Sequence, residues 1–219
     1  MNELSVCMND LKQFGAIPVD YKAISSLLTS YKSPADKVSR LEKNGYLIRL
    51  KKGLFVVSPE LSDCTISKEL IANQLYGPSY VSLESALSFF GLIPERVYNV
   101  LSVTHKRKKL YRTALGEFEY MSVPNKYFSV GIVQKVIDNS YAFLIASPEK
   151  AICDIIVTKS GIRFQSLKSI KSYLLDDLRV DFDAVKTWDL TIINECVKFG
   201  YKKAELQLLS KFIENEYSI

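Results

Sequence analysis

The stretch that decides the fold is SPADKVSRLEKNGYLIRLKKGLFVV, residues 33–57. Ser33 is suited to cap a helix, and Pro34 suits the first helical position because the N–H that proline lacks has no partner there. Asp36 follows in the first turn, where the helix dipole stabilises a carboxylate. Gly45 favours the end of the helix, since glycine readily adopts the left-handed conformation found there. These residues predict a short helix with well-marked ends.

A two-stranded hairpin is predicted directly after this helix. Residues 46–50 and residues 54–57 are rich in side chains that favour β-strands. Between them, Lys51-Lys52-Gly53 supplies a turn in which the glycine tolerates a positive φ. The hairpin therefore has a basic tip.

Two more helices are predicted upstream of the cationic helix. Apolar residues recur at intervals of three and four over residues 4–14, which places them on one helical face. Asp20 is suited to cap a second helix that runs to Leu28. Three helices followed by a hairpin make a winged helix-turn-helix, which we assign to residues 1–59.

The predicted third helix presents cations on its polar side. Ala35, Val38 and Leu41 fall on one stripe, so the basic residues between them face the other way. Such a helix can enter the major groove of DNA, while basic residues of the wing contact phosphate. A winged helix can also dock proteins, and this alternative stays open. The predicted DNA-binding residues are Ser33, Lys37, Arg40, Lys43, Arg49, Lys51 and Lys52.

Composition predicts an ordinary globular chain of one or two domains, with 219 residues, 47% hydrophobic and 24% charged. We find neither an apolar run of about eighteen residues nor a secretory leader, so we expect a cytoplasmic protein without a membrane partner. The net charge of +5 permits a nucleic-acid partner without requiring one. Reduced, buried thiols are expected, because the four cysteines are far apart in the sequence. They are Cys7, Cys64, Cys153 and Cys196.

The second domain, residues 60–219, is predicted to be a mixed α+β unit with a small, largely antiparallel sheet and C-terminal helices. Helical patterns occupy residues 66–75, 83–90 and 149–158, and others start at Leu167, Ala184 and Tyr201. Strand-like runs occupy residues 98–104, 117–123, 130–137 and 141–146. The last two runs are joined by the turn-forming Asp138-Asn139-Ser140.

Two short motifs of the second domain, LESALSFFGLIPE (83–95) and IASPEKAICDII (145–156), resemble the AbiEi family of antitoxins from type IV toxin-antitoxin systems. The matching positions are Ser85-Ala86-Leu87, Gly91-Leu92, Glu149-Lys150-Ala151 and Asp154, with Leu41, Gly45, Leu47, Arg49, Gly53, Leu54 and Phe55 in the first domain. The resemblance covers the order of elements over much of the chain.

This resemblance implies a bacterial phage-defence antitoxin that also represses its own operon. The winged helix would bind double-stranded DNA at operator inverted repeats and act as a transcriptional regulator. The second domain would counter a nucleotidyltransferase toxin without forming a stable complex with it. No enzymatic activity and no cofactor are implied.

A second basic run follows the only histidine, His105. Crowded like charges must be solvated or must face an anion, so a second nucleic-acid patch and a solvated loop between strands are both open. Without these cations the second domain would be net negative. The residues of this run are Lys106, Arg107, Lys108, Lys109 and Arg112.

Glu149, Lys150 and Asp154 are the charged residues of an otherwise apolar helix. Lys150 and Asp154 are four apart, a spacing that predicts a solvated ion pair. A structural pair at the edge of the core and a functional surface of the antitoxin domain are the two interpretations.

Other chemistry finds little support in the sequence. His105 has no second histidine or cysteine spacing to complete a metal site or a catalytic triad. Asp181-Phe182-Asp183 has the spacing of a metal-binding carboxylate pair, but the ten residues before it contain no glycine, so a helix cap is predicted. We therefore expect no catalytic residues, no metal and no cofactor. A module that neutralises a partner by direct contact is the alternative function.

Overall fold

The computed structural model describes residues 3–185 and 188–217. Its N-terminal unit has three helices and a three-stranded antiparallel sheet in the order β1-β3-β2. The helices and hairpin lie where they were predicted, and the short strand β1 is an addition. The elements are α1 (Glu3–Lys12), β1 (Val19–Asp20), α2 (Tyr21–Leu27), α3 (Pro34–Lys43), β2 (Leu47–Lys51) and β3 (Leu54–Val57).

Local signals account for the ends of these elements. The Asp20 side chain accepts a hydrogen bond of 2.7 Å from the amide of Ala23, as a cap should. Ser33 occupies the cap position of α3, but its hydroxyl makes no capping hydrogen bond. Gly45 ends α3 with φ +78°, and Gly53 closes the hairpin with φ +77°. Both values lie in the left-handed region that glycine adopts without strain.

The first unit has its own apolar core. Val38 and Leu41 of α3 are buried against Ile24 of α2 and Phe55 of β3. Ala35 was predicted on the same stripe and is instead exposed, because its position in the first turn lies beyond the packed surface. The core also includes Leu61, two residues after the predicted boundary at residue 59.

The second unit is built around a six-stranded mixed sheet in the order β6-β7-β5-β4-β9-β8. Its strands are β4 (Ser79–Val81), β5 (Val100–Thr104), β6 (Lys109–Thr113), β7 (Gly116–Ser122), β8 (Ile132–Ile137) and β9 (Tyr141–Ala146). Three of the five strand pairs are antiparallel, and the pairs β5-β7 and β4-β9 are parallel. The predicted α+β class is confirmed.

Helix α4 (Pro59–Ser62) contacts α1 of the first unit. The later helices cover the sheet or carry the chain to its end. They are α5 (Lys68–Leu75), α6 (Leu83–Phe89), α7 (Asn125–Phe128), α8 (Pro148–Thr158), α9 (Leu167–Ser172), α10 (Phe182–Val185), α11 (Leu190–Phe199) and α12 (Lys203–Tyr217). A π-helical turn, Tyr173–Asp177, continues α9. Helices α5, α6 and α8 contact strands of the sheet, α11 packs on α8, and α12 packs on α11.

The hairpin of the first unit packs on both apolar cores. Leu50 and Val56 of the hairpin belong to the core of the second unit, whereas Phe55 between them belongs to the first. The hairpin is thus held from both sides. Within the described residues, no helix combines the length and the apolar composition that a membrane crossing needs.

Candidate nucleic-acid interface

The outward side of α3 is open to solvent. Arg40 and Lys43 are exposed, as is Ser33 at the start of the helix. Val38 and Leu41 point into the core, which fixes the opposite face outward. The arrangement matches the predicted division of this helix into a packed face and a cationic face. Lys37 is half-buried, with Nζ 4.6 Å from the centre of the Tyr31 ring.

Arg49 joins the hairpin to α3. Its Nε donates to Glu42 Oε1 at 2.7 Å and its Nη2 donates to Glu42 Oε2 at 2.5 Å. The guanidinium also lies 4.9 Å from the centre of the Phe55 ring. The hydrogen bonds from Arg49 lower the pKa of the Glu42 carboxyl below its usual value. Arg49 was predicted to contact DNA, but in this structure its charge is paired with that of Glu42.

The hairpin tip differs from the prediction in one of its two lysines. Lys51 Nζ donates at 2.6 Å to the carbonyl oxygen of Leu75, at the C-terminal end of α5. Burial, and then the nearby charge of Lys106, lower the pKa of Lys51. A half-buried lysine held by a helix carbonyl is not a projecting tip residue, and this corrects the expectation for Lys51. Lys52 is exposed, as predicted.

The basic run of the second unit forms an edge of the sheet. Lys109 and Arg112 lie on β6, which is the first strand in the sheet order, so the loop interpretation holds only for residues 105–108. Arg112 bonds to Glu117 at 2.8 Å, and Lys108 lies 2.9 Å from Glu119. Arg107 and Lys109 are exposed and have no carboxylate within bridging distance among the described residues.

An aromatic cluster lies between the hairpin tip and this edge. The ring centres of Tyr76 and Tyr111 are 5.9 Å apart. Lys51 Nζ lies 6.0 Å from the Tyr111 ring centre, and Lys106 Nζ lies 5.5 Å from that of Tyr76. Lys106 also donates at 2.6 Å to the carbonyl of Gly77. The two basic patches predicted separately are therefore neighbours.

We call this combined region the joint surface. Tyr76 is the member that sequence reasoning missed, because nothing local indicates that the end of α5 meets β6. The joint surface consists of Lys51, Lys52, Tyr76, Lys106, Arg107, Lys109 and Tyr111.

Lys150 and Asp154 are in the interior rather than on a surface. Lys150 Nζ lies 2.9 Å from Asp154 Oδ1, and both side chains have 0% exposure. Lys150 also donates at 3.2 Å to the carbonyl of Tyr127, and the Ser82 hydroxyl donates to Asp154 Oδ2 at 2.6 Å. The prediction of a solvated pair is wrong, since every residue of α8 from Glu149 to Val157 is buried.

Glu149 is also buried and has a structural contact. Its Oε1 accepts a hydrogen bond of 2.9 Å from the amide of Asp189, just before α11. Burial of all three charged residues of α8 contradicts the interpretation of Glu149, Lys150 and Asp154 as a functional surface. The alternative, a structural cluster, agrees with the geometry.

The remaining candidate residues have structural surroundings. Asp181 Oδ1 accepts a hydrogen bond of 3.1 Å from the amide of Asp183, which confirms the helix cap, although α10 begins at Phe182 rather than Ala184. The ring of His105 packs edge-on against Phe128. Free thiols are confirmed for Cys153 and Cys196, which are buried, and for Cys64, which is half-buried; the side chain of Cys7 lies outside the described part of the structure.

Comparison with known proteins identifies a shared fold. The crystal structure of the RV2827C protein from Mycobacterium tuberculosis is similar, with a TM-score of 0.54 and 14% sequence identity over 95% of this chain and 80% of that chain. No protein-family model matches the chain, and no curated protein does so. The likeness covers both units, and at this identity it bears on the fold alone.

Proposed function

We propose that the chain is a DNA-binding repressor in which α3 enters the major groove of an operator. The observation that carries this proposal is the open face of α3, with Arg40 and Lys43 exposed and Val38 and Leu41 buried behind them. The buried face of such a helix packs on its own domain, while the exposed face can contact base edges in the groove.

The arrangement around α3 supports the same interpretation. The elements follow one another in the order of a winged helix, with β1 between α1 and α2 and the hairpin after α3. Lys52 is exposed at the tip of the hairpin, where a wing contacts phosphate. Glu42 and Arg49 bind the hairpin to the end of α3, so the two parts of the interface are fixed relative to each other.

The joint surface extends the proposed contact to the second unit. Arg107 and Lys109 add cations beside the hairpin tip, and the half-buried Tyr76 and Tyr111 lie among them. Phosphates beyond the groove read by α3 would meet these residues. Both units would then contribute to the salt dependence of binding.

The antitoxin part of the proposal rests on the sequence resemblance to the AbiEi family. In this role the second unit counters a nucleotidyltransferase toxin, and the first unit represses the operon that encodes both proteins. A nucleotidyltransferase gene beside the gene of this chain is expected. If the toxin is expressed alone, growth should stop, and co-expression of this chain should restore it.

A gel-shift experiment tests the DNA-binding proposal. The probe is the duplex immediately upstream of the chain's own gene, and a scrambled duplex of equal length and composition is the competitor. We expect a shifted band at low salt that the scrambled duplex does not compete away. An unshifted probe, or equal competition by the scrambled duplex, would contradict sequence-specific binding.

A protein-docking module is the second candidate function. It is favoured by the fact that Arg49 and Lys51 make their hydrogen bonds inside the molecule. Co-purification of a neighbouring gene product, together with an unshifted DNA probe, would support this function instead.

A further inference from the structure

The two edges of the six-stranded sheet are protected very differently. At one edge, β6 carries the exposed Lys109 and Arg112 and is contacted by β2 of the hairpin. Charged side chains and covering elements are the usual means by which proteins prevent an edge strand from pairing with another chain. This edge is therefore closed.

The opposite edge is less protected. Strand β8 reads Ile-Val-Gln-Lys-Val-Ile, and β9 is its one strand partner among the described residues. Val136 is 58% exposed, and Leu144 on β9 is 41% exposed. The single charge, Lys135 Nζ, lies 5.0 Å from the centre of the Phe90 ring. Lys135 is thus the one charge on an edge of six residues, and the other five positions are uncharged and suited to strand addition.

Backbone contacts show which groups of β8 face outward. The amide and carbonyl of Leu144 bond to the Asn73 side chain, away from β8. In an antiparallel pair, two opposed residues either hydrogen-bond to each other or both point their backbone groups away from each other. Gln134 lies opposite Leu144, so its backbone N–H and C=O point away from β9. The period of two extends this to Ile132 and Val136. The carbonyls of Gly131 and Ile137 point the other way, because they accept hydrogen bonds from the amides of Ser147 and Ser140.

These outward groups restrict how a second β8 can pair with the first. Outward residues must oppose outward residues, and a pairing centred on Gln134 satisfies this over the whole strand. It places Ile132 beside Val136 of the second copy and Val133 beside its Lys135. Each of the three outward positions exchanges two hydrogen bonds, about six in all. A pairing centred on Lys135 would set lysine against lysine, which is unfavourable.

We propose that two copies of this chain associate by antiparallel pairing of their β8 strands about a two-fold axis at Gln134. The same strand serves both partners, as a two-fold interface requires. The two sheets become one continuous sheet, and the apolar side chains of Ile132 and Val136 cover each other. This proposal does not depend on DNA binding.

Mass and amide exchange together test this pairing. Sedimentation equilibrium should give twice the chain mass of 24.8 kDa, with a fraction of dimer that rises with concentration. In hydrogen exchange, the amides of Ile132, Gln134 and Val136 should become more protected as the concentration rises. The amide of Lys135 already belongs to the pairing with β9 and should be protected throughout. A monomer mass at every concentration would overturn the proposal.

Matched variants on β8 and β6 show which edge of the sheet forms the dimer interface. Val136→Lys places a charge on the open edge and should raise the dissociation constant of the dimer at least about tenfold. Gln134→Lys, which sets like charges against each other at the axis, should do the same. Leu110→Lys makes an equal change on β6, where the side chain is 40% exposed, and should leave the dimer intact. A dimer that dissociates with Leu110→Lys and persists in the β8 variants would overturn the assignment. Circular dichroism of each variant checks that the fold is kept.

Discussion

Lys150 Nζ lies 2.9 Å from Asp154 Oδ1 in a part of the core where neither side chain has exposed surface. The cation also lies 3.1 Å from the centre of the Tyr127 ring, and the carboxylate accepts a hydrogen bond from Ser82. These interactions tie α8 to the start of α6 and to α7. Separately buried charges are costly, so each partner depends on the other.

Loss of one partner should therefore destabilise the fold strongly. Lys150→Met leaves a buried carboxylate without its cation and should cost about 3–5 kcal/mol in the free energy of unfolding, measured by urea denaturation. Lys171→Met is the control, because the pair of Lys171 with Glu216 is partly exposed and contributes less than about 1 kcal/mol. Equal losses in the two variants would contradict a structural role for the buried pair.

Stability should fall at alkaline pH because of two buried tyrosines. Burial, and then the charge of Asp154, raise the pKa of Tyr80 and of Tyr127 well above the usual value of 10.0. The unfolded chain releases these protons near that usual value while the folded chain retains them. The contribution of each tyrosine to stability is thus complete below pH 10 and is lost as the pH rises further, by about 1.4 kcal/mol at pH 11.

Two variants check this alkaline loss. The free energy of unfolding of Tyr127→Phe should decline less between about pH 9 and pH 11 than that of the native chain. Tyr201→Phe should decline as the native chain does, since Tyr201 is 59% exposed. Parallel curves for the native chain and Tyr127→Phe would refute the assignment to Tyr127.

Removal of the Glu42 carboxylate should strengthen DNA binding. Glu42→Gln takes a negative charge from the end of α3 and frees the guanidinium of Arg49 for phosphate. The slope of log affinity against log salt should become steeper by about 0.9 if Arg49 then neutralises one more phosphate. The free energy of unfolding should change by less than about 1 kcal/mol, because the pair is partly exposed.

The control for this change is Glu195→Gln on α11, an exposed acid outside the proposed interface. It alters the net charge by the same amount as Glu42→Gln and should leave the slope of log affinity against log salt unchanged. An identical response of the two variants would mean that net charge, rather than the geometry at Arg49, governs the affinity.

The joint surface should bind phosphates of its own. The double variant Arg107→Ala/Lys109→Ala should flatten the salt slope by about 1.8, or about 0.9 for each phosphate that is no longer neutralised. Lys198→Ala on α11 removes a cation elsewhere and should have no such effect. If the slope of the double variant equals that of the native chain, DNA binding is confined to the first unit.

The first unit could be predicted because its signals are local. Pro34, Gly45 and Gly53 mark the ends of α3 and the hairpin turn by their own conformational preferences, and the structure has these boundaries. The turn at Asp138 and Asn139 is similar, since both residues have the positive φ of a tight hairpin. Such features need no knowledge of distant parts of the chain.

The corrected residues depend on interactions between distant parts of the chain. Lys51 bonds to Leu75, 24 residues away, and Lys150 lies against Tyr127, 23 residues away. A lysine at a hairpin tip or on a short helix is ordinarily solvated, so local patterns favour exposure. Strand β6 was missed because its Lys109 and Arg112 suggest a loop, whereas an edge strand tolerates such charges.

The most direct test of the DNA-binding account is the affinity of the native chain and of Arg40→Ala/Lys43→Ala for the upstream duplex and its scrambled control, measured by fluorescence anisotropy over a range of salt. The native chain should prefer the upstream duplex, with a slope of about −4.5 for about five neutralised phosphates. The double variant should lose the preference and flatten the slope by as much as about 1.8. Equal affinity of the native chain for both duplexes, or a variant that keeps both the preference and the slope, would contradict the account.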